Sequence, residues 1–155
     1  MPWLRKRGIT EMSVRYVNFK LGEGATKPYR KYGGDAGWDL YTSQEYIIEP
    51  GETKDVHTNV RIEMPPYLYA RITGRSSSLR KHKLLINEGI IDNGYTGELF
   101  ICVHNLGDEA FRVEKGMRLA QILFHTIEDV RWCEVDEIHS PNGGRGENGF
   151  GSTGT

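Results

Sequence analysis

The sequence predicts an all-β fold, a compact β-barrel or jelly-roll with one short helix and a free C-terminal arm. Three observations carry this. Nineteen glycines and six prolines in 155 residues cut the chain into short segments. The apolar residues between them alternate or run briefly, as strands do. Only one stretch, 76–83, has the character of a helix.

In chain order, residues 14–21 alternate like a strand, and turn signals follow at Gly22, Gly24, Pro28 and Gly33-Gly34. Residues 38–41 resume an extended pattern. Residues 46–49 stop at Pro50-Gly51, and residues 58–64 stop at Pro65-Pro66, pairs that end strands because proline withholds a donor and fixes its φ. Residues 67–73 alternate again. Residues 89–97 read as a β-hairpin with Asn93-Gly94 at its turn. Residues 99–103 are apolar at every position, the pattern of a strand buried on both faces, and 119–124 are similar apart from Gln121. Residues 1–12 form a basic N-terminal extension, 13–140 the β domain and 141–155 the arm. The extension, with Arg5, Lys6 and Arg7, reads either as sequence ahead of an internal start at Met12 or as a weak targeting segment.

A single domain of this length buries about two thirds of its unfolded surface. Twenty basic against twenty-one acidic side chains leave a formal charge of -1, which provides no broad electrostatic footprint for direct nucleic-acid binding. No apolar run reaches membrane-spanning length. Cys102 and Cys133 have no metal-ligand spacing, so the expectation is a soluble, cytoplasmic protein with reduced thiols.

Five islands interrupt the strand pattern with residues that a core does not need. In DAGWDL (35–40), Asp39 is either a turn residue or an outer-sphere ligand of a hard cation such as Mg²⁺. In GRSSSL (74–79), one serine serves to cap a helix, while Arg75, Ser76 and Ser77 at a helix start suit an anion. In GIIDNGYTG (89–97), Asp92 is either a turn aspartate or a carboxylate that orients a water as general base. Tyr95 either covers the core or offers a flat face to a sugar or base. In RLAQ (118–121), Gln121 must find hydrogen-bond partners, by tying down a loop or by facing the site. The last eleven residues, RGENGFGSTGT (145–155), hold four glycines around one arginine, one ring and two hydroxyl types. That composition suits either a frayed terminus or a flap in which Arg145 pairs with an anion, Phe150 stacks on a flat ring, and Gly151, Ser152 and Thr153 grip phosphate oxygens. Together the islands hold what a metal-assisted attack on a nucleoside triphosphate requires.

In order and spacing, the five islands resemble the five motifs of the trimeric dUTPase family over nearly the whole chain. The third and fifth, GIID-x-x-Y-x-G and RG-x-x-GFGSTG, are the most specific. The resemblance implies a jelly-roll subunit in a homotrimer with three shared active sites, each covered by the swapped C-terminal arm of a neighbour. It implies hydrolysis of dUTP to dUMP and pyrophosphate, which limits uracil in DNA and supplies dUMP for dTTP synthesis. Asp92 would hold the attacking water, and Mg²⁺ would chelate the triphosphate with Asp39 supporting it through water. Arg75, Ser76, Ser77 and Gln121 would bind phosphates. Backbone at Gly89, Ile90, Ile91 and Phe100 would read the uracil edge and leave no room for a 5-methyl group. Tyr95 would exclude a 2'-hydroxyl. Phe150 would stack on uracil while Arg145, Gly151, Ser152 and Thr153 close on the phosphates.

Three positions depart from the family's usual pattern: Ser77 stands where many members have glycine, Ile86 where many have asparagine, and Trp38 where tyrosine or phenylalanine is common. The homologous dCTP deaminases are a different case. They carry a catalytic glutamate seven residues past the third-motif aromatic, and that position here is Cys102. The basic extension leaves room for a regulatory protein partner.

Overall fold

The computed structural model describes residues 15–139; the basic extension and the arm, with Arg145, Phe150, Gly151, Ser152 and Thr153, lie outside them. Among the described residues the chain forms β1 (Asn18–Leu21), β2 (Trp38–Tyr41), β3 (Tyr46–Ile48), β4 (Thr53–Glu63), β5 (Leu68–Gly74), α1 (Ser76–His82), β6 (Leu84–Ile86), β7 (Gly89–Ile91), β8 (Glu98–Asn105), β9 (Phe111–Val113) and β10 (Arg118–Thr126). Two four-stranded sheets, ordered β1-β4-β8-β6 and β2-β10-β5-β7, are joined by a small β3-β9 pair. The all-β architecture and its single short helix are those the sequence predicts.

Alternation builds the core. Val56, Thr58, Val60 and Ile62 of β4 and Leu99, Ile101 and Val103 of β8 point inward from the first sheet. Leu68, Ala70 and Ile72 of β5, with Ile122 of β10, are likewise buried on the second. Each fully buried valine, leucine or isoleucine contributes about 1.5–3 kcal/mol. The buried polar groups are satisfied locally. Thr58 Oγ1 donates to Leu99 O at 2.6 Å, and Asn105 Nδ2 donates to Ile48 O at 2.9 Å and Glu109 O at 2.8 Å.

Several details differ from the sequence reading. β4 begins at Thr53, five residues earlier than expected, because Asp55 and His57 alternate outward around a buried Val56 while the polar Lys54 shares the inward face half-buried. Its register shifts between His57 and Arg61, where Asn59 takes φ 53°; such a bulge adds twist. β8 is buried on one face only, with Phe100 39% exposed on the other. The 89–97 segment is not a bonded hairpin. β7 pairs with β5 in one sheet, whereas β8 pairs with β4 and β6 in the other. The chain therefore changes sheets at Asn93-Gly94.

Candidate active site

The sheet ordered β2-β10-β5-β7 carries four of the five islands. Gln121 of β10 lies in register with Asp39 of β2 on one side and Thr73 of β5 on the other. Beyond Thr73 the chain leaves β5 through Gly74 and Arg75 into α1, so Asp39, Arg75, Ser76, Ser77 and Gln121 gather at one corner. Arg75 Nε donates to Asp39 Oδ1 at 2.7 Å, and Arg118 Nη1 donates to Asp39 Oδ2 at 3.4 Å. Gln121 Nε2 donates to Gly74 O at 3.0 Å, which fixes the turn into the helix. An added Cβ at Gly37 would strike Gln121 Oε1, so the glycine leaves the Gln121 amide free to keep this orientation.

The serines divide their roles. Arg75 is the N-cap residue of α1 and no side chain caps it. Ser78 is buried and donates from Oγ to Leu119 O at 2.8 Å, so it anchors the helix to β10. Ser76 is exposed and Ser77 half-buried, and neither hydroxyl has a hydrogen-bond partner among the described residues. An arginine and two free hydroxyls at a chain reversal make a corner suited to phosphate oxygens.

The third island forms a second locus. The ladder between β6 and β8 ends with Asn87 N–H donating to Cys102 O at 2.9 Å. Past that point the chain segments at 88–91 and 98–101 have no bond to each other. The gap ends where Tyr95 Oη donates to Glu98 O at 2.9 Å. Between those two bonds lie backbone edges of Gly89, Ile90, Ile91 and Phe100 that can meet a planar ligand by main-chain hydrogen bonds. A Cβ at Gly89 would meet nothing within 4 Å, so space adjoins that backbone. Tyr95 is 42% exposed and is not a core cover. Gly97 is required beneath it, since a Cβ there would collide with the Tyr95 ring and hydroxyl.

Asp92 is exposed, and its carboxylate has no hydrogen-bond or ion-pair partner among the described residues. The turn that presents it is held from behind. Asn93 Nδ2 donates to Pro65 O at 2.9 Å and Leu68 O at 3.0 Å, tying the 92–94 turn to the entry of β5. The sequence alone marks Asn93 as a turn residue, and no signal in its spacing indicates this anchor. Asn93→Ala should lower turnover about tenfold or more by misplacing Asp92, in line with the sensitivity of oriented reactions to small displacements. Steady-state kcat measured alongside an unchanged melting curve of the core would check it.

Cys102, at the deaminase glutamate position, lies in register with Asp55. Burial, and then the Asp55 carboxylate, raise its thiol pKa. It stays protonated near neutrality and is no substitute for a general-base carboxylate.

Asp92 and Arg75 lie toward opposite ends of β5, although Gly89 of the second locus is level with Ile72 near the phosphate corner. Ile91 pairs with Ala70, and Gln121 pairs with Thr73, so Asp92 sits level with Tyr69 while Arg75 lies past the far end of β5. Six residues of strand separate those levels, about 20 Å at ~3.3 Å per residue. The phosphorus chain of a triphosphate is much shorter. Both oxygens of Asp39 face guanidinium groups, a field that opposes the close approach of a cation at this corner.

An all-β subunit with an Arg-Ser phosphate corner and an isolated, presented carboxylate has the make-up of a nucleotide hydrolase. The dUTPase family model matches residues 23–154. A deoxyuridine 5'-triphosphate nucleotidohydrolase of Clostridium novyi is 41% identical over 137 residues, covering 87% of this chain and 95% of that protein. A Staphylococcus bacteriophage 80alpha dUTPase with dUpNHpp superposes with a TM-score of 0.84 at 29% identity, covering 92% of this chain and 100% of that one. A mutant dUTPase from phage phi11 of S. aureus, described with a structural Mg(II) ion, superposes with a TM-score of 0.75 at 25% identity, covering 81% of this chain and 99% of that one. The chain belongs to the dUTPase family and is an enzyme.

Proposed function

We propose that this dUTPase converts dUTP and water to dUMP and pyrophosphate by in-line attack of a water oriented by Asp92. The water oxygen bonds to the α-phosphorus, the bond from that phosphorus to the α,β-bridging oxygen breaks, and Asp92 accepts the water's proton. The observation that carries this reading is the presented carboxylate of Asp92 beside an opening edged by unbonded backbone. Gly89, Ile90, Ile91 and Phe100 read the uracil edge there, and Tyr95 lies against the deoxyribose. Arg75, Ser76, Ser77 and Gln121 hold the phosphate end. Mg²⁺, carried on the triphosphate, supplies neutralisation of its charge. The product logic is removal of dUTP from the DNA precursor pool together with supply of dUMP. Pyrophosphate release should be measured in parallel from dUTP, dCTP, UTP and dTTP with Mg²⁺. Release from dUTP alone supports the reading, and ammonia from dCTP or silence on all four overturns it. In the same assay Tyr95→Ala should gain measurable UTP turnover, and unchanged exclusion of UTP would remove the sugar-sensing role.

The separation of Asp92 from Arg75 supports sites shared between chains, in a homotrimer. Two further features support close association with other copies. Val130, Trp132 (99% exposed), Val135 and Ile138 follow β10 without joining a strand. A cavity of about 850 Å³ with Val17, Phe19, Trp38, Leu68, Ile122 and Phe124 in its wall opens beside β1. Exposed apolar surface of this kind marks an interface. In this reading residues 13–140 form the β domain and 141–155 the arm that closes a neighbour's site, with Arg145, Phe150, Gly151, Ser152 and Thr153 on the substrate. Deleting 145–155 should reduce turnover at least a hundredfold, the scale of losing a closing element and its charge-assisted bonds, while size-exclusion still reports the same oligomer. Among the described residues no helix is long and apolar enough to cross a membrane, and a cytoplasmic location accompanies the reading. The extension at 1–12 is the segment to test for a regulatory protein partner.

A further inference from the structure

Asp39 is the only carboxylate among the described residues that is ion-paired with two arginines. Its backbone is locked as well. Asp39 N–H donates to Tyr29 O at 2.7 Å and its carbonyl accepts from Tyr29 N–H at 3.3 Å, while β10 flanks the strand's other edge. A side chain held on a fixed backbone and 21% exposed has little freedom to turn toward solvent. Its Oδ1 takes the Nε–H of Arg75 and its Oδ2 an Nη1–H of Arg118. Arg75 Nη1 also reaches Arg118 O at 3.5 Å. The three side chains therefore form one unit with a net charge of +1.

An arginine has five N–H donors in a rigid plane. When Nε is committed to Asp39, the orientation of that plane is set, and apart from the Nη1 contact to Arg118 O its terminal N–H groups remain for another anion. Arg118 retains most of its donors and is half exposed. A hydrated Mg²⁺ drawn to Asp39 would have to approach two guanidinium charges and displace hydrogen bonds from both oxygens. A phosphate group meets the opposite field.

We propose that Asp39 is a positioning residue that aligns Arg75 and Arg118 as a paired phosphate clamp, and that it is not a support for the metal. Arg118 is thereby a substrate-binding residue. The inference rests on the triphosphate reading above and adds a member to its binding set.

The test is titration calorimetry of the full-length oligomer with dUpNHpp and with dUMP, each in Mg²⁺ and in EDTA. The variants are Asp39→Asn, Arg118→Gln and the double variant. Asp39→Asn should weaken dUpNHpp at least tenfold by the same factor in both buffers and leave dUMP unchanged. Arg118→Gln should weaken dUpNHpp several-fold, and the double variant should lose less than the product of the two single factors. A loss in Asp39→Asn that appears only with Mg²⁺ would assign the residue to the metal and overturn the clamp. So would equal loss of dUMP, which marks a merely structural role, or affinities unaltered by either substitution. If the unaltered protein neither binds dUpNHpp nor hydrolyses dUTP, the functional reading itself has failed.

Discussion

Asp92→Asn is expected to reduce dUTP turnover by about 10²–10⁴-fold, the range that a positioned general base contributes, with dUTP still bound. Asp92 is exposed and unbonded among the described residues, and its turn is anchored through Asn93 to Pro65 and Leu68. An amide of nearly the same shape keeps that turn and the adjoining backbone edges at Gly89, Ile90 and Ile91. It can still hydrogen-bond a water, but it does not take up a proton near neutrality. Single-turnover rates should fall while the dissociation constant for dUpNHpp stays within about twofold, because an interaction used only in the transition state leaves ground-state binding intact. A large loss of affinity would mean that Asp92 holds the substrate itself. Full turnover would remove it from the reaction.

Much of the fold was legible because strands announce themselves through alternation and the chain breaks where glycine and proline stand. β2 coincides with its expected bounds, and β5 and α1 fall within a residue of theirs. β6 and β9 were missed because each has only three residues and neither is closed by a Pro-Gly pair as the equally short β3 is by Pro50-Gly51. The first half of β4 was hidden by its polar residues. The 89–97 segment shows a different limit. Asn93-Gly94 is a strong local turn signal, and a turn does form there, but whether the flanking strands pair is decided by β4 and β5, which compete for them from different sheets. Residue types of the site were legible for the same reason: cores do not require Arg75, Asp92 or Gln121 where they stand. The contacts that set them in place were not. Gln121 could have bonded a loop or a ligand, and only the register of β10 with β5 brings its amide to Gly74 O. The Asp39–Arg75–Arg118 unit joins three segments distant in sequence, and no local spacing encodes it.

Mixing two crippled chains is expected to restore activity. Asp92→Asn removes the base, and Arg75→Ala removes the phosphate end, so each variant alone should be nearly inactive. Within one chain these residues lie about 20 Å apart along the sheet by the rise of a strand, too far for a single triphosphate to meet both. If each site takes Asp92 from one chain and Arg75 from another, co-expression in equal amounts gives each contribution an intact residue half the time. About one quarter of sites then carry both, for random assembly of a symmetric oligomer, and pyrophosphate release should approach about a quarter of the unaltered rate. If both residues serve the same site from the same chain, no chain in the mixture holds an intact pair and activity stays at the level of the variants. The outcome is insensitive to how strongly each substitution impairs its own oligomer, provided both do. Recovery far above a quarter would show that one of the two residues is dispensable. No recovery, with mixed oligomers demonstrated by differently tagged chains, would return the whole site to one subunit and require the β5–β7 end of the sheet to move toward the phosphate corner on binding.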